Sequence, residues 1–294
     1  MNHPELKLTR PKIGLALSGG GARGYAHVGI LKGLEDANIP VDFIAGASMG
    51  GLVGACFASG KSARQLEDII IETSKMRELM KLIDLAPHRR GLLEGQKVQA
   101  FIAKLIGEER TFESLPIPLA VTAVDLLRGK EVVLKEGLLL PAIMSTIAVP
   151  GLFPPHVYGP YRMVDGGVLN NLPFDHVRRM GADIVIAVDV QHDPHYELPW
   201  QDLPEKPFWP IHLPEFFIDF YRAELIMISA INRMRLKDCP PDLLIRPPIP
   251  PDINMFLGFP FGKEIIAAGD QAISDALPTI KEMIARHNHH PLAE

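Results

Sequence analysis

The sequence has few cysteines, no marked excess of either charge and no long apolar run. Two cysteines in 294 residues are too few for a disulfide framework. A net charge of -5, with 30 Lys and Arg against 35 Asp and Glu, argues against nucleic acid as a partner. No stretch reaches the roughly 20 apolar residues of a spanning helix, and the polar first residues predict no export signal. We therefore expect a cytoplasmic protein, and peripheral contact with the inner membrane surface stays open.

Short apolar runs alternate with stretches of helical periodicity along most of the chain. Residues 13–17 predict a buried strand and residues 22–37 a helix, and the pair recurs at 42–46 and the small-residue stretch that follows. Further strands are predicted at 118–124, 131–134, 161–164, 184–190 and 242–246, and further helices at 62–83, 96–106 and 263–286. Because several strands are apolar on both faces, the pattern predicts one α/β domain over 1–294, with a mostly parallel sheet covered on both sides.

The segment 191–262 differs from the rest in composition. Residues 194–260 hold 13 of the 27 prolines, which predicts irregular structure over much of the segment. Within it, "PEFFIDFYRAELIMISAINRMR" is a candidate amphipathic helix. The aromatic rings of the segment have two interpretations: they cover a sheet edge or subunit contact, or they form an apolar lip that meets a lipid surface. The candidate lip residues are Trp209, Phe216, Phe217 and Phe220.

A glycine cluster, "GGGARG" at 19–24, lies between the first strand and the first helix. Unpaired N–H groups at a helix start bind anions, so the cluster fits either a cofactor pyrophosphate or the oxyanion of an acyl-transfer reaction. A dinucleotide-binding fold would end its second strand with an acid for the ribose. Here Asp42 begins that strand and "AGASMG" ends it. This pattern disfavours an NAD-type oxidoreductase.

The stretch Gly46-Ala47-Ser48-Met49-Gly50 is a G-x-S-x-G motif between a strand and a small-residue helix. In a nucleophile elbow the serine occupies a strained strand-to-helix turn, and small neighbours such as Gly46 and Gly50 allow the tight passage. The context predicts that Ser48 is a nucleophile.

Two kinds of base can be fitted to this serine. In the order of α/β-hydrolases, Asp165 would be followed by a histidine, for which His176, His192 and His195 are candidates. However, Ser48 follows the second strand, which is early for that fold. Alternatively, Asp165 acts directly, at a strand end where Gly166 and Gly167 permit a sharp turn. His27, on the first helix, is interpreted as a packing or helix-surface residue.

Together and in this order, G-G-G-x-R-G, G-x-S-x-G and D-G-G resemble the patatin-like phospholipase family, in particular its compact bacterial members. The likeness runs from about residue 12 to 190. It implies a three-layer α/β/α sandwich and a dyad in which Ser48 is the nucleophile and Asp165 the base. The oxyanion hole implied by the resemblance, chiefly the second to fourth residues of the loop, comes from Gly19, Gly20, Gly21, Ala22, Arg23 and Gly24.

The resemblance implies hydrolysis of acyl esters of phospholipids or lysophospholipids, without metal or cofactor. Two alternatives stay open: an acyltransferase that uses the same acyl-enzyme, and a regulatory or scaffold protein that retains the fold. The sequence leaves the acyl chain length, the head group and the oligomeric state open.

Overall fold

The computed structural model of the protein describes residues 10–86, 90–191 and 215–289. Its strands are β1 Ile13–Leu17, β2 Phe43–Ala47, β3 Leu119–Asp125, β4 Lys130–Leu134, β5 His156–Tyr158, β6 Tyr161–Asp165, β7 Ile184–Val188 and β8 Leu243–Ile245. Its α-helices are α1 Ala26–Asp36, α2 Ser48–Ala58, α3 Ala63–Thr73, α4 Met76–Lys81, α5 Gln96–Ile106, α6 Leu139–Thr146, α7 Gly167–Asn170, α8 Phe174–Arg179, α9 Glu215–Asp238 and α10 Gly262–His289. Short 3-10 helices lie at Gly21–Tyr25, Phe112–Ser114 and Phe259–Phe261.

All these strands belong to one sheet. Five of them, in the order β3-β2-β1-β7-β8, pair in parallel. The other three are antiparallel: β4 and β6 pair with β3, and β5 pairs with β6. The sheet is thus parallel over its larger part, where helices connect successive strands, and antiparallel at one side, where hairpins do.

The two faces of the sheet carry side chains of different size. Along β1, Ile13, Leu15 and Leu17 join a large core with α1, α2, α3, α5, α6 and α10, whereas Ala16 joins a smaller core with α8. A Cβ at Gly14 would lie 2.0 Å from Cγ1 of Val177, so α8 packs very closely on the small-residue face. Helices therefore cover both faces, and the prediction of a three-layer α/β/α fold is confirmed.

Two local differences from the predicted helices have sequence causes. The predicted helix over 62–83 is divided into α3 and α4, and α3 begins at a capping box between Ser62 and Gln65. Helix α6 was not predicted because Pro141 interrupts its pattern. That proline lies in the first turn, where a backbone N–H has no partner within the helix.

Helix α9 is a long regular element inside the segment 191–262, of which residues 192–214 lie outside the described part of the chain. It has 24 residues, and the prolines that suggested irregularity flank it at Pro214 and Pro240 without entering it. The candidate amphipathic helix was therefore the better description of this part of the segment. In the described part of the chain, no helix has the length and apolar character needed to cross a membrane.

Candidate active site

The geometry of the site begins with two strands that meet end to end. Strand β4 covers one edge of β3 over residues 121–125. On the other edge, Thr122 pairs with Ala47 at the end of β2, and Ala123 pairs with Asp165 at the end of β6. Because β2 runs parallel to β3 and β6 antiparallel, their carboxyl ends approach each other along that edge. The chain thereby brings Ser48, which follows β2, next to Asp165.

Ser48 occupies the strained turn that the G-x-S-x-G motif predicts. Its φ is 50°, a left-handed conformation that costs a non-glycine residue about 1–3 kcal/mol. Its backbone N–H donates to Oγ1 of Thr146 on α6 at 2.9 Å. A Cβ at Gly46 would lie 2.6 Å from the carbonyl of Gly50, and one at Gly50 would lie 2.3 Å from that of Leu17. Both glycines are therefore required for the elbow to pack.

Asp165 is a buried carboxyl whose pKa is raised to about 6, because burial disfavours its charge. Hydrogen bonding to Ser48 and to the N–H of Gly167 partly opposes this rise. The Gly167 N–H donates to Oδ1 at 2.7 Å, whereas Oδ2 has no partner of normal geometry among the described residues. The contact with Ser48 is thus longer or less well aligned, as is usual before substrate binds. A carboxyl with this pKa is ionised at neutral pH and can accept a proton.

In the part of the chain that the structure describes, the glycine loop has two backbone donors without an acceptor. The N–H of Gly19 donates to the carbonyl of Asn171 at 3.1 Å, and that of Ala22 donates to the carbonyl of Met255 at 2.9 Å. The N–H groups of Gly20 and Gly21 donate to no acceptor among the described residues. Gly21 has φ 53°, and a Cβ there would lie 2.5 Å from the Met255 carbonyl oxygen.

Arg23 and Asn171 hold this loop in position. The buried Arg23 guanidinium donates from Nε to the carbonyl of Val190 at 2.8 Å and from Nη1 to that of Ile253 at 3.0 Å. The side chain of Asn171 donates to the carbonyl of Gly19 at 3.4 Å. Arg23 thus ties the loop to the segments that follow β7 and β8, and Asn171 ties it to the segment that follows Asp165.

A large apolar cavity of about 270 Å³ begins at Ser48. Its walls come from α2, α3, α4 and α5 and from the 3-10 helix at Phe259–Phe261. Along α2 it is lined by Ser48, Met49, Leu52, Val53 and Cys56. At about 1.5 Å per residue, this wall is about 12 Å long. Burial raises the pKa of the Cys56 thiol to about 12, so this cysteine is an inert part of the wall.

A second cavity, of about 20 Å³, also borders Ser48. It is lined by Asp165 and by three residues of α9, Tyr221, Glu224 and Ile228. Glu224 is 7% exposed, and its Oε2 has no hydrogen-bond partner within the described ranges. Burial, followed by the charge of Asp165, raises the pKa of Glu224 to about 7. The site therefore contains a second carboxyl besides the predicted one.

Of the three histidines proposed for a Ser-His-Asp arrangement, the structure describes His176, which does not lie at Ser48. His176 lies on α8, where its Nε2 contacts Oε1 of Glu131 at 2.6 Å, and it lines neither cavity. His192 and His195 lie outside the described residues. His27 is a buried packing residue whose Nε2 contacts the Ser18 carbonyl at 2.8 Å. Its burial lowers its pKa to about 4, so the ring is neutral.

Of the aromatic residues considered for a lip, the structure describes one side chain. Phe220 on α9 is 52% exposed. Trp209 lies outside the described residues, as do the side chains of Phe216 and Phe217.

Sequence reasoning did not identify Glu224, although a signal was present. The buried face of α9 repeats at helical spacing through Tyr221, Glu224, Leu225 and Ile228. An acidic residue on such a face is removed from the water that would stabilise its charge. Acids are rarely buried in this way, so Glu224 is a candidate functional residue. Asn171 was missed because two adjacent asparagines in "VLNNLP" resemble an ordinary turn.

Comparison with known proteins identifies a matching family and several similar sequences. The family model for patatin-like phospholipase matches residues 15–178. An uncharacterized NTE family protein of Mycobacterium tuberculosis is 36% identical over 182 residues, which cover 61% of this chain and 49% of that protein. Human patatin-like phospholipase domain-containing protein 6 is 35% identical over 188 residues, 62% of this chain and 14% of that protein. Neuropathy target esterase sws of Drosophila melanogaster is 31% identical over 259 residues, which cover 82% of this chain and 18% of that protein.

The chain thus spans about half the length of its mycobacterial relatives and a much smaller part of the animal ones. Among solved structures, VipD of Legionella pneumophila aligns with TM-score 0.46 and 12% identity over 92% of this chain and 67% of that one. The type III effector ExoU aligns with TM-score 0.43 and 17% identity over 92% of this chain and 53% of that one. The family match covers more than half of this sequence and includes the glycine loop, Ser48 and Asp165. The chain therefore belongs to the patatin-like phospholipase family.

Proposed function

We propose that the protein is a serine acyl hydrolase that cleaves fatty acyl esters of phospholipids or lysophospholipids through Ser48 and Asp165. The observation that carries the proposal is the meeting of the strained serine with a buried carboxyl at the joined ends of β2 and β6. In the first step the Asp165 carboxylate removes the Ser48 hydroxyl proton while Oγ attacks the ester carbonyl carbon. The alkoxy group then leaves with that proton, and the acyl group stays on Ser48.

The oxyanion of the tetrahedral intermediate is assigned to the N–H groups of Gly20 and Gly21, which have no acceptor among the described residues. Within the predicted loop of six residues we choose these two donors, because the N–H groups of Gly19, Ala22 and Arg23 already have backbone acceptors and Gly24 lies inside the 3-10 helix Gly21–Tyr25. Removing one donor of this kind from an enzyme typically costs about 3 kcal/mol of transition-state stabilisation. Arg23 and Asn171 contribute indirectly, by holding the loop.

The large cavity is assigned to the acyl chain of the substrate. Its lining is apolar, which suits a hydrocarbon chain at about 0.8 kcal/mol for each buried CH₂ group. One leaflet of a bilayer has acyl chains about 15 Å long, since the hydrocarbon core is about 30 Å thick. The wall along α2 from Ser48 to Cys56 accommodates most of that length. A single chain of membrane-lipid length is the substrate feature that this cavity fits.

Access to such a substrate is assigned to the outer face of α9. Phe220, Met227 and Met234 repeat every seven residues, so they share one exposed helix face, and Ile226 lies beside them. The buried face of the same helix contributes Tyr221 to the small cavity. We assign the exposed stripe to peripheral contact with a lipid surface, which fits a cytoplasmic enzyme acting at the inner face of a membrane.

The test compares two serines at the two ends of α2. Wild type, Ser48→Ala and Ser59→Ala are assayed on phospholipid, lysophospholipid and p-nitrophenyl ester substrates and labelled with a fluorophosphonate. Ser59 is a suitable control because its buried Oγ has no hydrogen-bond partner in the described structure. We expect Ser48→Ala to lose both turnover and labelling and Ser59→Ala to retain both. Full turnover by Ser48→Ala would refute the proposed function, and acyl transfer to glycerol without hydrolysis would identify an acyltransferase.

A further inference from the structure

The small cavity at Ser48 has the size and the lining of a water site. Its volume of about 20 Å³ exceeds the roughly 10–15 Å³ that one water molecule needs. It is too small for the alcohol part of a lipid. Two carboxyl oxygens at this cavity, Oδ2 of Asp165 and Oε2 of Glu224, are buried and have no hydrogen-bond partner among the described residues. A buried water usually makes two to four hydrogen bonds, and these two oxygens are available acceptors.

Helix α9 is held so that Glu224 faces the site. Near the helix's carboxyl end, Arg235 pairs with Asp175 of α8 at 2.9 Å. On the same turns as Glu224, the buried residues Tyr221, Leu225 and Ile228 pack inward. Ionisable groups that act on this region are Asp165 from β6, Tyr221 from α9 and Arg23 from the glycine loop. The position of Glu224 is thus set by the packing of the helix at both ends of its buried face.

We propose that this cavity holds the water that hydrolyses the acyl-enzyme, and that Glu224 positions this water by accepting one of its two O–H groups. The inference rests on the proposed function. Asp165 accepts the other O–H and takes that proton as the water oxygen attacks the carbonyl carbon of acyl-Ser48. When the bond from this carbon to Ser48 Oγ breaks, Oγ regains the proton from Asp165, and the fatty acid leaves. Glu224 therefore acts in deacylation and has no part in acylation.

The experiment separates the two half-reactions. Pre-steady-state hydrolysis of a p-nitrophenyl ester is followed for wild type, Glu224→Gln and Glu224→Leu, and the intact protein is weighed by mass spectrometry during turnover. We expect Glu224→Leu to keep the rapid p-nitrophenol release, to slow the steady-state rate at least tenfold and to accumulate acyl-protein. Glu224→Gln retains one acceptor oxygen and should lie between the two. Hydroxylamine, which attacks the acyl-enzyme without a positioned water, should restore turnover of Glu224→Leu.

The control is Asn232→Leu, which removes another buried polar side chain from α9 away from both cavities. We expect it to leave both phases unchanged. If Glu224→Leu discharges its acyl group as fast as wild type, or loses both phases in equal proportion, the water-positioning role is wrong while the proposed function stands. If wild type forms no acyl-protein that depends on Ser48, the proposed function fails, and this inference fails with it.

Discussion

The two cavities that meet at Ser48 differ in both size and lining. One holds about 270 Å³ and is lined almost entirely by apolar side chains, whereas the other holds about 20 Å³ and is bordered by two carboxyls. The larger cavity is built from the large-residue side of the sheet, with α2 to α5. The smaller one lies where β6 ends and α9 crosses the site. A serine between a large apolar cavity and a small one bordered by carboxyls can direct the acyl chain into the first and accept water from the second.

The largest expected effect is on the polar side, at the proposed base. We expect Asp165→Asn to lower kcat/KM at least about 10³-fold, because general base catalysis contributes about 10²–10⁴-fold and the amide cannot take the serine proton. Fluorophosphonate labelling should fall in parallel. The control is Asp36→Asn at the end of α1, which lines neither cavity and should keep its labelling. Normal labelling of Asp165→Asn would contradict its role as base.

The glycine loop tests the boundary between the cavities. We expect Gly21→Ala to lower kcat about 100-fold or more, because the new Cβ would lie 2.5 Å from the Met255 carbonyl and displace a proposed oxyanion donor. Gly129 is a matched control, since its φ of 61° is close to the 53° of Gly21 but nothing lies within 4 Å of its added Cβ. Gly129→Ala should lose about 1–2 kcal/mol of stability and no activity. Equal activity of both variants would remove Gly21 from the site.

The buried carboxyl also predicts a gain of stability on its removal. The pKa of Asp165 is raised to about 6 from 3.8, so ionisation costs the folded state up to about 3 kcal/mol. Below pH 3.8 both states are protonated and nothing is lost; the penalty grows as pH rises to about 6 and is constant above. Asp165→Asn should therefore unfold at higher urea concentration than wild type at pH 8, with the difference vanishing toward pH 4.

Asp125 provides the opposite case for that measurement. Arg128 lowers the pKa of Asp125, so its ionised form stabilises the fold. Asp125→Asn should therefore lose stability at pH 8. If Asp165→Asn behaved in the same way, the carboxyl of Asp165 would not be destabilised by burial.

The depth of the apolar cavity can be tested at Cys56. We expect Cys56→Phe to lower kcat/KM for a sixteen-carbon acyl ester about tenfold or more, because the ring fills the space assigned to the far part of the chain. A four-carbon ester, which ends before this position, should react as with wild type. Cys56→Ala serves as the size control and should accept both esters. A chain-length preference that stays the same in Cys56→Phe would place the acyl chain elsewhere.

Local signals in the sequence were sufficient for much of the fold and for identifying Ser48 and Asp165 as candidate site residues. Strand β1 and helix α5 begin and end at the predicted residues, because hydrophobic periodicity and glycine mark them locally. The direction of β6 was not accessible. An aspartate at the carboxyl end of a strand is expected at the edge of the sheet where ligands bind, and Asp165 does lie at such an edge. However, β6 pairs antiparallel with β3. This pairing joins segments that are far apart in the sequence, so local signals do not predict it. The role of Glu224 depends in the same way on how α9 crosses the site.

The smallest expected effect concerns how α9 meets its surroundings. Its exposed stripe is apolar, and the proposed lipid contact predicts that Phe220→Ser with Met227→Ser lowers co-sedimentation with anionic phospholipid vesicles by roughly three- to tenfold. Leu127→Ser is the control, since Leu127 is 64% exposed on the β3–β4 hairpin, away from both cavities. Hydrolysis of a water-soluble short-chain ester should be equal in all three proteins. Unchanged vesicle binding of the double variant would remove α9 from membrane contact and would leave lipid recognition to the large cavity.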